Sequence, residues 1–280
     1  MRYDDRRVAL GLYRTGLSRE LLESALEIGV TAIDTAYSYD QFTSHRALNA
    51  IADDLLHRFE ISTKVGYFPD GHDLSPVRLR QAIERSTEEL DRTPDAVLLH
   101  NPEQSPNGLL PACALLSELC DKGWCGSWGI ASWDPRPLNS ISYEGPAPDV
   151  LMVRAGLAVP LLVHEAGEEL FKMTAAADRW GMAPFGQDAA ARLWSDIDPA
   201  KIVSTSGHVG RLEAAFAAAF ELPHVSRIAV GTHRADHLAQ LHAARCLATD
   251  SDTVARYSAA LTAAGGATAS GAAHAGEQPL

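Results

Sequence analysis

No apolar run in this chain approaches the roughly 18 residues that a membrane-spanning helix needs, so no membrane partner is expected. The first residues, MRYDDRRVAL, carry charges and lack the apolar segment of a secretory signal. Cysteine is scarce: Cys113, Cys120, Cys125 and Cys246 are four among 280 residues and share no metal-type or redox-type spacing. They read as reduced thiols in a cytoplasmic protein that binds no metal. Basic residues are short as well, 24 Lys and Arg against 36 Asp and Glu, for a net charge of −12. Such a chain offers no face to neutralise phosphates, which argues against nucleic acid as a partner. Also missing is a glycine-rich phosphate turn after the first apolar run, because GLYRTG is not the G-x-G-x-x-G of a doubly wound dinucleotide fold.

What is present is a regular alternation. Hydrophobic content of 46% with 21% charged residues is that of a globular protein. Short apolar strands are expected at VALGL (8–12), VTAIDT (30–35), FEISTKV (59–65), AVLLH (96–100), WGIAS (128–132), DVLMVR (149–154), MAPFG (182–186) and SRIAVG (226–231). Helices are expected between them: from Ser18 to Gly29, over 44–57, from Ser75-Pro76 to Leu90, over 108–121, after Asp134-Pro135, over 161–180, between 199 and 221, and over 235–247. Eight strand–helix units in one chain predict a single α/β domain, a (β/α)8 TIM barrel over about residues 1–250. A doubly wound sheet is the second choice. The Ala/Gly-rich stretch 258–280 is expected to be a disordered tail, and the protein a monomer or a weak homo-oligomer.

Four segments each deliver one polar residue after a strand: Asp34, then Tyr39 five residues on, Lys64 in FEISTKV and His100 in AVLLH. Polar residues gathered at the C-terminal ends of parallel strands are how a β/α barrel builds an active site. Alone, each has an ordinary reading: Asp34 a turn residue, Tyr39 a packing residue with Tyr37 beside it as a rival, His100 structural. Lys64 is less easily explained so, since lysine is rarely buried without a partner. Together they suit carbonyl reduction. A phenol can protonate the oxygen if a neighbouring ammonium lowers its pKa, a carboxylate can hold that ammonium, and a neutral imidazole can orient the oxygen.

These residues stand as D-T-A-x-x-Y at 34–39, S-T-K at 62–64 and L-L-H-x-P at 98–102, with G-T-H-R-x-x-x-L at 231–238. In them the chain resembles the aldo-keto reductase superfamily over about residues 8–247, though the N-terminal hairpin usual there is absent or shortened. The resemblance implies Tyr39 as acid/base, Lys64 and Asp34 tuning it, His100 orienting substrate, and NADPH as cofactor. It also implies cofactor contacts from Ser132, Gln187, Gly231, Thr232 and Arg234, the last reaching a 2′-phosphate. Departures from the pattern concern the nicotinamide end. Ala131 and Ser132 replace the usual Ser-Asn pair, Met152 a glutamine, Gln187 an aromatic, Asp188 a serine, and Leu241 an asparagine that faces adenine. On the substrate side, Arg154 would meet Asp188 or an anionic substrate group, Trp133 and Trp194 could stack on a ring, and Asp40 could bond a hydroxyl. Trp128 is expected in the core. The expected activity is NADPH-dependent interconversion of a carbonyl and an alcohol on a small polar molecule. A redox-neutral lyase, isomerase or cyclase using Tyr39, Lys64 and His100, and a ligand-binding barrel without catalysis, are the alternatives.

Overall fold

The computed structural model describes residues 3–186, 198–204, 207–257 and 259, apart from the side chain of Asp4. Eight parallel strands close into a barrel: β1 (Arg7–Gly11), β2 (Ala32–Asp34), β3 (Glu60–Val65), β4 (Ala96–His100), β5 (Ser127–Ser132), β6 (Val150–Arg154), β7 (Asp178–Met182) and β8 (Arg227–Val230). They follow in sequence order around the ring, and β1 pairs with β8 to complete it. The helices between them are α1 (Arg19–Glu27), α2 (Ser44–Leu56), α3 (Pro76–Leu90), α4 (Leu109–Asp121), α5 (Leu161–Thr174), α6 (Arg211–Ala219) and α7 (Ala235–Ala244). A short hairpin, Tyr67–Phe68 with Gly71–His72, rises from the end of β3. No N-terminal hairpin precedes β1 among the described residues, where a single turn, Tyr3–Asp5, stands.

Local chemistry sets the helix ends as expected. The Ser18 hydroxyl accepts the Leu21 N–H at 3.2 Å to open α1. Pro76 opens α3, where its missing N–H loses no partner. Between β5 and β6 the expected short helix is a 3-10 turn, Arg136–Ser140.

Strand seven differs from expectation. It is Asp178–Met182 rather than 182–186, and α5 stops at Thr174 rather than running to 180. Ala175 takes a left-handed conformation (φ 52°) that ends the helix and turns the chain back. The residues from Asp178 onward then pair with β6, from Val150↔Asp178 to Arg154↔Met182. MAPFG, apart from Met182, is the turn that leaves the strand.

The two-residue alternation of strands divides the core. Ala9, Ala32, Ala96, Leu98, Ala131, Val150, Met152, Trp180 and Ala229 point into the barrel and pack there. Their neighbours, among them Ile33, Val97, Leu99, Ile130, Leu151 and Val153, point outward under the helices. Trp128 lies in that outer core as expected, 4% exposed. The N-terminal floor of the barrel is closed by charge. Glu60 pairs with Arg7 at 2.6 Å and Arg227 at 2.7 Å. Arg227 lies over the Trp180 ring, 4.1 Å from its centroid, and the Trp180 Nε1–H donates to Asp178 at 2.9 Å. Gln187, Asp188, Trp194 and nearly all of the 258–280 tail lie outside the described residues.

Candidate active site

The inward face of each strand continues to the C-terminal mouth. Ala32 is followed by Asp34, Ser62 by Lys64, and Leu98 by His100, so three polar side chains enter the mouth from adjacent strands β2, β3 and β4. Lys64 is 2% exposed and Asp34 5%. The Lys64 ammonium donates to Asp34 Oδ2 at 2.5 Å and to the Thr35 carbonyl at 3.0 Å. The Ser62 hydroxyl donates to Asp34 Oδ1 at 3.1 Å. Burial disfavours the ammonium, but Asp34 and the Tyr39 phenol outweigh it, so the Lys64 pKa lies above the usual lysine value. The charge therefore stays on Lys64 at any physiological pH.

Tyr39 does not end a strand. It begins a turn five residues past β2, followed by Asp40, Gln41 and Phe42 at φ 50°, 55° and 66°. Three successive non-glycine residues in the left-handed region store strain of about 1 kcal/mol each. The turn brings the Tyr39 ring over the site, with the Lys64 ammonium 5.3 Å from its centroid. His100 meets it edge-on at 5.9 Å, and the Tyr13 ring lies tilted against it at 5.1 Å. Asp40 is exposed on this turn. Tyr37 lies elsewhere: 8% exposed, it packs in the outer core against Phe42 and Phe68, and its hydroxyl accepts from Arg85 at 3.4 Å.

The electrostatics differ from expectation at one point. Burial pushes the Tyr39 phenol above the ordinary tyrosine value; Lys64 draws it down but does not reverse the sign, and Asp34 adds to the rise. Tyr39 is thus fully protonated at neutral pH, the form a proton donor needs. His100 is held well below the ordinary histidine value by burial first, then by the Lys64 charge and the neighbouring His72 imidazole, so it is neutral. Its Nδ1 is buried and has no hydrogen-bond partner. The His100 carbonyl accepts from His72 Nε2 at 2.8 Å; because a carbonyl only accepts, the His72 proton sits on Nε2 and Nδ1 accepts from the Ser105 hydroxyl at 2.9 Å. Tyr67 meets the His100 ring edge-on at 4.9 Å. Sequence reasoning missed Tyr13, Tyr67 and His72. Alternation could have found the first, since residues 9, 11 and 13 share one face of β1 and its extension.

Glu103 was also missed. It is 8% exposed in the loop after β4 and accepts from the Ser132 hydroxyl (2.9 Å) and from the backbone N–H groups of Trp133 (2.8 Å) and Asp134 (2.9 Å). Burial raises its pKa against these donors. Ser132 is fully buried and its one hydroxyl proton is committed to Glu103, so none is left for a nicotinamide amide. Met152 lies at the same level inside the barrel, 1% exposed and paired with Ala131. At the end of β6, Arg154 donates from Nε to the Trp133 carbonyl at 2.7 Å, its guanidinium 4.8 Å from the centroid of the Trp133 ring.

Gly231, Thr232 and Arg234 form the turn into α7. The Thr232 hydroxyl accepts the Arg234 N–H at 3.1 Å, and no side chain caps the helix. Free N–H groups at a helix start favour an anion. Arg234 is exposed and paired with Asp236 in that first turn, at 2.5 and 3.0 Å. Leu241 is 7% exposed and packs in the core on α7. The residues of this end therefore fit a phosphate group, while those of the nicotinamide end depart from the expected donor set.

No described helix is long and apolar enough to cross a membrane, and the described residues hold no metal-type cluster of His, Cys, Asp or Glu. The barrel matches that of an aldo-keto reductase from Bacillus halodurans in its holo form, with a TM-score of 0.70, 16% identity and 91% of each chain covered. It also matches an aldo-keto reductase from Klebsiella pneumoniae in complex with NADPH, with a TM-score of 0.65, 17% identity, and 91% of this chain and 90% of that one covered. A third, an aldo-keto reductase from a deep-sea metagenome library, has a TM-score of 0.71, 15% identity, and coverage of 91% and 90%. No curated protein matches the sequence. Those structural likenesses establish the fold; the sequence itself matches the model of the aldo/keto reductase family over residues 13–183. With that match running from just past β1 through β7, more than half of the chain, and the barrel closed as described, the chain belongs to the aldo/keto reductase family.

Proposed function

We propose that this protein is an NADPH-dependent oxidoreductase that interconverts a carbonyl and an alcohol on a small polar substrate, with Tyr39 as the proton donor. The observation that carries this reading is the buried, charged Lys64, fixed by Asp34 and set 5.3 Å from the centroid of the Tyr39 ring. A nicotinamide, when bound, would supply hydride to the carbonyl carbon. Tyr39 holds its proton at neutral pH and delivers it to the oxygen. The phenolate left behind forms beside a fixed positive charge, which lowers the cost of that transfer. Asp34 keeps that ammonium in place. Neutral His100 donates a hydrogen bond to the substrate oxygen and orients it, with Tyr67 set edge-on against the His100 ring. Trp133 and Asp40 line the rim on the substrate side.

The cofactor would be held at its phosphates by the Gly231 backbone, Thr232 and the first N–H groups of α7, with Arg234 reaching the 2′-phosphate once released from Asp236. Gln187 completes the proposed set. The committed hydroxyl of Ser132 and the thioether of Met152 favour a second reading, a redox-neutral acid–base enzyme on the same barrel. One experiment separates the two: NADPH and NADH binding by nicotinamide fluorescence and calorimetry, with Tyr39→Phe alongside. Micromolar NADPH affinity, retained in Tyr39→Phe while the turnover of a test aldehyde falls about 10²- to 10⁴-fold, supports the reductase. Absence of binding for either nucleotide at millimolar concentration would overturn it and select the redox-neutral reading.

A further inference from the structure

We propose that Arg154 is a carboxylate-recognition arm, so that the preferred substrate is a carbonyl compound bearing a carboxylate; this rests on the reductase reading above. On β6, Val150 and Met152 point into the barrel, and Arg154 is the next residue on that face, at the mouth. Ala131 pairs with both His100 and Met152, which puts those two at one level. Arg154 therefore stands one inward position above His100 and two strands around the ring, roughly 10 Å across at strand spacing. A guanidinium there faces the same opening as Tyr39 and His100.

Its orientation is fixed on two sides. Nε is tied to the Trp133 carbonyl at 2.7 Å and the guanidinium lies over the Trp133 ring. Trp133 is fixed in turn by Glu103 through its N–H. The two terminal nitrogens have no partner among the described residues. Among the described residues the nearby carboxylates are already committed: Glu103 takes the three donors given above, and Asp134 is held by the Arg136 guanidinium, whose Nε lies 2.8 and 3.1 Å from its two oxygens. What remains is a rigid, half-buried fork of N–H donors with a charge that burial makes costly to leave unmatched, and a planar fork of this kind matches a carboxylate with two parallel bonds.

The test compares kcat/KM with NADPH for succinic semialdehyde against butanal, and for 4-carboxybenzaldehyde against benzaldehyde, in the wild type, Arg154→Met and Arg154→Lys. The wild type should prefer the carboxylate member of each pair. The charged-to-neutral ratio should fall about 30-fold in Arg154→Met, the size of a charge-assisted bidentate pair, and part of the way in Arg154→Lys, which keeps charge but loses the fork. An equal fall for both members, or a wild type without preference, would overturn the proposal. Should Arg154→Met not fold, inhibition of wild-type butanal reduction by propionate but not propionamide supports the arm, and equal inhibition refutes it. Should NADPH drive neither aldehyde, the reductase reading fails by itself. The arm is then judged by succinate calorimetry on wild type and Arg154→Lys: tighter binding to wild type supports it, and equal binding refutes it.

Discussion

At the scale of single residues, the Asp34–Lys64 pair has consequences that differ for stability and for chemistry. Both groups are almost fully out of water, and each is the other's only charged partner among the described residues. Removing one leaves the other buried and uncompensated, which costs about 3–5 kcal/mol. Lys64→Met is therefore expected to lower the urea midpoint strongly. The double variant Lys64→Met with Asp34→Leu should recover much of that loss, since an apolar pair of similar volume is often neutral. Equilibrium unfolding of the wild type, both single variants and the double variant checks this. Losses that simply add would mean the pair is not coupled. Activity should not recover in the double variant, because the charge beside Tyr39 is gone from it.

Between elements, α2 docks on β2 and β3 through two buried polar contacts as well as apolar ones. The Thr35 and Ser44 hydroxyls are bonded at 2.9 Å, and His45 Nε2 meets Thr63 Oγ1 at 2.8 Å. Burial, with a smaller effect from Arg85, lowers the His45 pKa to about 4. The unfolded chain takes up this proton near pH 6.5 and the folded protein only near 4. Stability is thus fully present above pH 6.5 and drains away as pH falls through that window, by about 3 kcal/mol at most. Urea midpoints between pH 4.5 and 7 should decline toward acid, and His45→Gln should flatten that slope; an unchanged slope would exclude His45 as its source. How far such elements were legible varied. Alternation in the segments ending at Asp34, His100 and Arg154 is plain in the sequence, because the apolar inward residues Ala32, Leu98 and Met152 precede the polar ones. Before Lys64, by contrast, the inward residue is Ser62, and the apolar signal comes from the outward Ile61 and Val65. Strand seven was hidden because it opens on two charged residues, Asp178, which accepts from the Trp180 indole, and Arg179, which pairs with Glu168, while the apolar MAPF that follows mimics a strand. The Ser132–Glu103 bond was out of reach for another reason. Glu103 sits in a loop 29 residues earlier, and no periodicity links a loop carboxylate to a strand hydroxyl.

For the molecule as a whole, the two ends of the barrel divide chemistry from cohesion. Glu60 on the floor ties β3 to β1 and β8 through Arg7 and Arg227, and Arg227 is only 4% exposed. Glu60→Ala would strand that guanidinium, and an expected loss of about 2–3 kcal/mol follows, moderated because Glu60 is a third exposed. Thermal unfolding should show the drop while NADPH affinity measured well below the transition stays the same. A changed affinity would show that floor and mouth are not independent.

The ring also has a seam. β2 is three residues long and shares only two registered pairs with β1, Leu10↔Ile33 and Gly11↔Asp34. The β1–β8 pairing beside it joins positions about 220 residues apart, a closure that must recover a large loop entropy before it is rewarded. Asp34, the carboxylate that holds Lys64, is itself one of those two registered residues. Amide exchange should therefore find its earliest opening where β2 meets β1, while Asp34 stays with Lys64, because the ion pair spans the opposite edge of β2, where Asp34 registers with Ser62 of β3. The ion pair that prepares Tyr39 thus fastens β2 to β3 and not to β1, so warming should loosen the ring at its seam before it disarms the site.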